Sequence, residues 1–391
     1  MRSIRDLDLN NKKVIVRCDF NVPIKDGVIE DDYRIVQTLP TLQYILDNNG
    51  IAICLSHLGK VKKEKDLNQT LIPVAERLSE LLNRKVYFVN KTRGASVNKL
   101  IKSLKPGDIC LLENTRFEDI NDGLESTNDY NLGHYWSTLG DVFINDAFGA
   151  SHRAHASVVG IKQLPKAAGF LVEKEVAALS KIINEPKHPL VLIMGGAKIN
   201  DKIKLINKLI EKVDYLLIGS GMALPFLKTL GFNVESPLID EENLEMSKEL
   251  LEKHRSKIIL PIDVITTKNL KDIVIENKSN DEIKANDIVL DIGDKTITRY
   301  ESFLSNAKMV VWNGPLGIAE YEEGKIGTVQ ILKFLAYKDL EVIIGGGDTA
   351  AVVSKLGMSD NFTHVSTGGG ATLEYLEGND MPGLDILREG P

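Results

Sequence analysis

At 391 residues, with 48 Lys and Arg against 55 Asp and Glu and a formal net charge of -7, the chain is long enough for two α/β domains and too long for one comfortable core. An acidic balance argues against nucleic acid or an acidic membrane surface as the main partner, because both call for a basic excess. The opening Met1-Arg2-Ser3-Ile4-Arg5-Asp6 has no apolar h-region and no run approaches a membrane span, so a cytoplasmic protein with no membrane partner is expected. Cys18, Cys54 and Cys110 lack the spacing of a metal knuckle or a CxxC pair, and core packing is their expected role.

Along the first half, short apolar runs lead directly into polar residues. Val14-Ile15-Val16 meets Arg17, Asp19 and Asn21; Ile51-Ala52-Ile53-Cys54-Leu55 meets Ser56 and His57. Leu111-Leu112 meets Glu113 and Arg116, and Val142-Phe143-Ile144 meets Asn145 and Asp146. Helical patterns run from Thr38 to Asn48, Thr70 to Leu82 and Asn131 to Leu139, while Lys60 to Lys65 reads as a solvated lysine-rich loop. Runs of this length alternating with helices predict buried parallel strands. A first domain is expected over 1–168. Val172, Val176, Leu179, Ile182 and Ile183 then form one stripe of a connector helix, 169–185, closed by Pro186 and Pro189. A second α/β domain is expected over 186–376, with helices near Asp201 to Lys212, Glu241 to His254 and Gly327 to Tyr337. The tail, about 377–391, is expected to pack back on the first domain.

In the second half the strand-ending runs meet glycine, lysine and aspartate. Leu190-Val191-Leu192-Ile193-Met194 enters Gly195-Gly196-Ala197-Lys198-Ile199-Asn200-Asp201-Lys202, a glycine turn with two lysines as a helix begins. Backbone N–H groups and a positive helix end favour an anion there, and Lys202 in a first helical turn is better explained with a phosphate than without. It is not a Walker A, since GxxxxGK[ST] is absent. Gly219-Ser220-Gly221-Met222 supplies a further glycine turn, and Gly368 to Gly370, just before the helical pattern Ala371 to Leu376, reads as a phosphate seat.

Gly345-Gly346-Gly347-Asp348-Thr349-Ala350 matches G-x-G-x-x-A after a strand and raises an NAD-dependent dehydrogenase as a rival. An aspartate against a pyrophosphate is repulsive unless a cation intervenes, and Mg²⁺ bridging Asp348 to nucleotide phosphates resolves that conflict. Only Arg255, Arg299 and Arg388 lie beyond Arg153, so arginine crowds the first half. Arg17, Arg34, His57 and Arg116, with His152-Arg153-Ala154-His155, form an expected cradle for carboxylate and phosphate. Open parallel sheets bind ligands beyond the carboxyl ends of their strands, and two anionic ligands held by two domains follow.

Taken together, these segments resemble the phosphoglycerate kinase family. The matching stretches are Val16 to Pro23, Ser56-His57-Leu58-Gly59, Leu112 to Phe117, Asn145 to His155, Gly195 to Lys202, Trp312-Asn313-Gly314-Pro315, Gly345 to Thr349 and Ser366 to Ala371, in family order from end to end. The resemblance demotes the dehydrogenase and implies two Rossmann-like three-layer domains with parallel sheets, joined by the connector helix, with a cleft between lobes. It implies reversible transfer of the acyl phosphate of 1,3-bisphosphoglycerate to MgADP, giving 3-phosphoglycerate and MgATP. Asp19, Asn21, Arg34, His57, Lys60, Arg116 and Arg153 would hold the glycerate ligand. Arg34, Lys198 and the helix start at Gly370 would surround the transferring phosphoryl group. Gly196, Lys198, Lys202, Gly219, Asn313, Pro315, Ile318, Glu320, Gly347, Asp348 and Thr349 would take the nucleotide, with Glu320 at the ribose, Ile318 and Pro315 at the adenine and Asp348 on Mg²⁺.

A carboxylate acceptor is already ionised at neutral pH, so no base is needed and positioning with charge compensation is what remains for the protein. Closure of the lobes around the connector would exclude water. The chain departs from the family pattern at Lys60, where arginine is usual, at Ser220 within a usual triple glycine, and at Ala319, where an aromatic is usual. A non-catalytic binding protein on the same scaffold would be expected to lose Lys198, Asp348 or Arg34, and all three are present. With no exposed apolar stripe evident, a monomer is expected.

Overall fold

The computed structural model describes residues 1–61, 67–236 and 238–388; the lysine-rich loop beyond Val61 lies outside them. The chain divides into two compact units, one built from Met1–Ala177 with the described part of Gly378–Pro391, the other from Ala178–Glu377.

The first unit is a parallel six-stranded sheet. Its strands in chain order are β1 (Lys13–Arg17), β2 (Ile51–Leu55), β3 (Val86–Val89), β4 (Ile109–Leu112), β5 (Val142–Asn145) and β6 (Lys166–Ala168), arranged β3-β4-β2-β1-β5-β6. β1 pairs with β2 from Lys13↔Ile51 to Arg17↔Leu55 and with β5 from Val14↔Val142 to Arg17↔Asn145. The central strands are buried almost throughout, as β-branched and leucine runs covered on both faces must be. Helices α1 (Tyr33–Asp47), α2 (Ile72–Leu82), α3 (Ala95–Ser103), α4 (Tyr130–Ser137) and α5 (Ala156–Val159) connect them, and α6 (Phe170–Asn184) leaves the unit, whose boundary falls within that helix. Cys18, Cys54 and Cys110 are buried and unbridged, and Cys18 and Cys54 belong to one core cluster with Val14, Val16, Ile35 and Leu42.

The second unit has its own parallel sheet, β9-β8-β7-β13-β14-β15, from β7 (Leu190–Met194), β8 (Tyr215–Ile218), β9 (Ile258–Ile259), β13 (Met309–Asn313), β14 (Glu341–Gly345) and β15 (His364–Val365). Between β9 and β13 the chain makes a separate antiparallel sheet, β11-β10-β12, from β10 (Asp263–Thr267), β11 (Glu276–Ser279) and β12 (Ile288–Ile292). Its helices are α7 (Ile203–Leu209), α8 (Ser220–Thr229), α9 (Glu241–His254), α10 (Asp294–Leu304), α11 (Ile326–Ala336), α12 (Gly347–Lys355) and α13 (Gly370–Glu377). α9 spans the expected residues: Asp240 caps it by accepting the Asn243 N–H at 2.8 Å, and Asn243, Ser247, Leu250 and Leu251 form its buried face. The last helix, α14 (Pro382–Asp385), belongs to the first unit, where the Asn145 Nδ2 donates to the Gly383 carbonyl at 2.9 Å.

Both sheets begin in the middle, run outward and return on the other side of the first strand. The reversal falls between β1 and β5 in one unit and between β7 and β13 in the other, and strand order reversal marks where an open α/β sheet holds its ligand. Among the described residues no helix is long and apolar enough to cross a membrane.

Candidate functional site

In the first unit, the loop after β1 carries Asp19, which is buried. Arg34, in the first turn of α1, places Nη1 3.2 Å from both Asp19 oxygens and 3.2 Å from the Asn21 carbonyl. Asn21 in turn accepts the Gly59 N–H at 2.8 Å through its Oδ1, which ties the β1 loop to the loop after β2 that holds His57. Asn114, buried beyond β4, joins a third loop to these. It donates to the carbonyls of Leu58 (2.8 Å) and Gln69 (2.9 Å) and accepts the N–H groups of Leu58 and Arg116, each at 3.0 Å. Every hydrogen-bonding position of that amide is thereby used to fasten the backbones of Leu58, which follows His57, Gln69 and Arg116.

Arg116 donates from Nη1 to Asp119 (2.8 Å) and Ser126 (2.5 Å), while its buried Nε has no protein partner among the described residues. Arg153 and Lys60 are exposed, and the Arg153 Nε lies 3.0 Å from His152 Nε2. These groups also act on one another's ionisation. Burial pushes His57 down to about 3, assisted by Arg17, Arg116 and Arg34 against the pull of Asp19. His155 is also pushed to about 3 by burial, with Arg116, Arg17 and Arg153. Although burial raises Asp19, the Arg34 guanidinium above all, with that of Arg17, holds its carboxyl below the usual range. The result is a concentration of guanidinium charge with neutral imidazoles among it, which suits a multiply charged anion.

Arg17 departs from expectation. The sequence groups it with Arg34, His57 and Arg116 in the anion cradle, but the structure buries it completely, with its guanidinium bonded to Ser157 of α5. Three of its five donors go to Ser157, the Cys18 carbonyl and His57. Ser157 and Glu125, which support it, carry no motif that would have singled them out.

In the second unit, the loops after β7 and β13 pack directly on each other. Gly195 N–H donates to the Asn313 carbonyl at 3.0 Å and Gly196 N–H to the Pro315 carbonyl at 3.1 Å. Gly314 has φ +87°, and a Cβ there would collide with Gly195 and the Lys202 ammonium, so only glycine fits. Lys202 is the second correction. The sequence puts it in the first turn of a helix, whereas it is the N-cap residue of α7 and its Nζ turns back to donate to the carbonyls of Gly195 (2.6 Å) and Asn313 (3.1 Å). Burial lowers it to about 8 against the favourable charges of Asp348 and Asp201. Lys198 is exposed, with no hydrogen-bond or ion-pair partner among the described residues. Gly219 caps α8 and Gly347 and Gly370 open α12 and α13; a Cβ at either of the last two would meet no heavy atom within 4 Å, so both helix starts have open backbone.

Several buried polar atoms beside these loops lack a protein partner among the described residues: Asn313 Nδ2, Thr349 Oγ1 and Asn200 Oδ1. An orphaned buried donor or acceptor costs on the order of 1–3 kcal/mol, so three in the segments at the ends of β7, β13 and β14 fit a polar ligand that completes them. Asp348, in the first turn of α12, is exposed. A pocket of about 260 Å³ opens beside it, lined on one side by Pro315, Ala319 and Glu320 and on the other by Asp348, Val352 and Leu356. Ile318, Gly196 and Gly219 lie outside that lining; the Ile318 N–H is held by the Leu290 carbonyl at 2.8 Å. Among the described residues no group of three His, Cys, Asp or Glu is placed to hold a metal ion.

Two Rossmann-like α/β units, one with an arginine-rich strand-end surface and one with glycine-lined helix starts, define a phosphotransferase that handles anionic small molecules. A family model described as Phosphoglycerate kinase matches residues 4–379. The chain is 49% identical over 391 residues to the phosphoglycerate kinase of Fusobacterium nucleatum subsp. nucleatum, covering 98% of each chain. It is 51% identical over 390 residues to that of Listeria innocua, covering 99% of this chain and 98% of the relative. Among solved structures it is similar to phosphoglycerate kinases from Coxiella burnetii (TM-score 0.84, 37% identity) and Pyrococcus horikoshii (TM-score 0.89, 32% identity), each match covering 99% of this chain and 98% of the other. The chain belongs to the phosphoglycerate kinase family. It is a kinase that reversibly transfers the acyl phosphate of 1,3-bisphosphoglycerate to ADP, giving 3-phosphoglycerate and ATP in glycolysis.

Proposed function

We propose that the first unit holds 3-phosphoglycerate and 1,3-bisphosphoglycerate through Asp19, Asn21, Arg34, His57, Lys60, Arg116 and Arg153, and that the second holds ADP and ATP. The nucleotide residues are Gly196, Lys198, Lys202, Gly219, Asn313, Pro315, Ile318, Glu320, Gly347, Asp348 and Thr349. The observation that carries this reading is the set of orphaned polar atoms on Asn200, Asn313 and Thr349, which follow β7, end β13 and open α12 after β14. Asp348 would hold Mg²⁺ together with nucleotide oxygens, and the ion supplies charge compensation for the phosphates.

The reacting carboxylate needs no deprotonation, so these side chains act by placement and charge. Arg34 is steered by Asp19, and its remaining N–H groups are free of protein partners among the described residues. Lys198 is exposed and unpaired among the described residues, and the open backbone at Gly370 adds N–H donors. In this reading all three act on the phosphoryl group in the ternary complex, with hinge closure about α6 to exclude water. A monomeric, cytoplasmic enzyme completes the reading.

The experiment is ATP-dependent turnover of 3-phosphoglycerate at millimolar Mg²⁺, coupled to glyceraldehyde-3-phosphate dehydrogenase and NADH loss, with an EDTA control. Metal-dependent turnover that disappears in Asp348→Ala supports the assignment. Full turnover in that variant removes Asp348 from the metal site.

A further inference from the structure

Arg17 is fully buried, an unusual place for a permanent cation. Its Nε donates to Ser157 Oγ at 2.7 Å, its Nη1 to the Cys18 carbonyl at 2.5 Å, and its Nη2 lies 3.3 Å from His57 Nδ1. Ser157 is fastened in turn by Glu125, which is also fully buried: the hydroxyl lies 2.5 Å from Oε1 and the backbone N–H donates to Oε2 at 2.9 Å. Since Ser157 Oγ accepts from Arg17, its single proton goes to Glu125, and the direction of the whole chain is fixed.

A guanidinium has five donors and no acceptor. The contact between Arg17 and His57 is therefore a hydrogen bond only when His57 Nδ1 carries no proton. In a neutral ring the proton then sits on Nε2, which has no protein partner among the described residues. The other tautomer would set two N–H groups against each other beside Arg17 and turn a lone pair toward an incoming anion. The ring is kept neutral by burial and by the Arg17, Arg116 and Arg34 charges, against the opposing pull of Asp19.

We propose that Arg17, braced by Ser157 and Glu125, is a positioning residue that sets the tautomer of His57, so that the ring offers an Nε2–H donor to an anionic group of the glycerate ligand. This deepens the reading of His57 as a glycerate ligand and rests on it. A neutral donor among several guanidinium groups adds a hydrogen bond without a further cation to be compensated in the empty site.

The test uses the intact enzyme labelled with ¹⁵N-histidine. Long-range ¹H–¹⁵N spectra are recorded from about pH 5 to 8 for wild type, Arg17→Met, Ser157→Ala and His57→Ala, the last to assign the signal. The wild-type ring is expected to keep a bare Nδ1 and a protonated Nε2 throughout. Arg17→Met is expected to show exchanging tautomers and a KM for 3-phosphoglycerate raised about five- to tenfold, with the nucleotide KM unchanged. Ser157→Ala, which leaves the arginine in place, guards against loss of folding and is expected to move both readouts the same way by a smaller factor. A wild-type Nδ1–H tautomer or imidazolium overturns the proposal, as does a single tautomer with unchanged KM in both folded variants. Unchanged 3-phosphoglycerate binding in His57→Ala would instead remove His57 from the ligand set, whatever its tautomer.

Discussion

Arg34 Nη1 lies 3.2 Å from each carboxylate oxygen of Asp19, with Asp19 buried and the Arg34 side chain about one quarter exposed (25%). One corner of the guanidinium fork is used within the protein and its other donors remain available, which is how an arginine is aimed rather than neutralised. Asp19→Ala should leave Arg34 without its anchor. The KM for 3-phosphoglycerate should rise about tenfold or more while nucleotide binding is preserved, since truncating one member of a buried charge pair disturbs the other. Isothermal titration with each substrate measures both, and equal 3-phosphoglycerate affinity in a folded variant would make the pair dispensable.

Lys198 and Lys202 should behave differently despite being four residues apart. Lys198 is exposed and unpaired among the described residues, so Lys198→Ala should lower kcat by about a hundredfold or more with limited loss of nucleotide affinity, as for a charge donor to the transition state. Steady-state kinetics near wild-type turnover would exclude it.

For Lys202, the displacement of its ionisation to about 8 gives a pH signature. The ammonium is present below that value and lost as pH rises through it. Nucleotide kcat/KM in the free enzyme should therefore fall above about pH 8, approaching tenfold per pH unit if this one group is required. Lys202→Arg should extend the plateau upward, because a guanidinium does not deprotonate in this range. A profile identical in both proteins would assign the descending limb elsewhere.

His57 and His155 give an acid-side stability prediction. Both are depressed to about 3 in the folded protein against an ordinary value of about 6.5 in the unfolded chain. Between these values the unfolded state binds more protons, so stability rises with pH and is lost progressively as pH falls below about 6.5. The pair should contribute a slope on the order of 1 kcal/mol per pH unit, after allowance for partial solvent screening. Urea midpoints between pH 7 and 5 should fall less steeply in a His57→Gln, His155→Gln double variant. Parallel curves would place the acid sensitivity in other groups.

Much of the architecture was legible in the residues. The apolar runs ending at Val16, Leu55, Leu112, Ile144, Met194, Trp312 and Ile344 are all strands of the two parallel sheets, because strands covered on both faces must be continuously apolar. Helix ends were less legible. α1 begins at Tyr33 and not near Thr38, and it accommodates Pro40 in its interior. α2 begins at Ile72, after Thr70, whose hydroxyl is taken by Glu113 at 2.8 Å. The antiparallel sheet β10–β12 was not foreseen: Glu276–Ser279 is polar throughout, with two exposed residues, and shows no apolar alternation to betray a strand.

The sequence by itself determined the parallel α/β class and the family, because continuous apolar runs and strand-ending glycine, arginine and aspartate are local signals that survive without coordinates. Only the tertiary structure separated Arg17 from Arg34 and Arg116, and turned the Lys202 ammonium onto the carbonyls of Gly195 and Asn313. The physical reason is that a cation's role depends on which donors are already satisfied and how far it is desolvated. Residues distant in sequence decide both: Ser157 and Glu125 for Arg17, and Asn313 for Lys202.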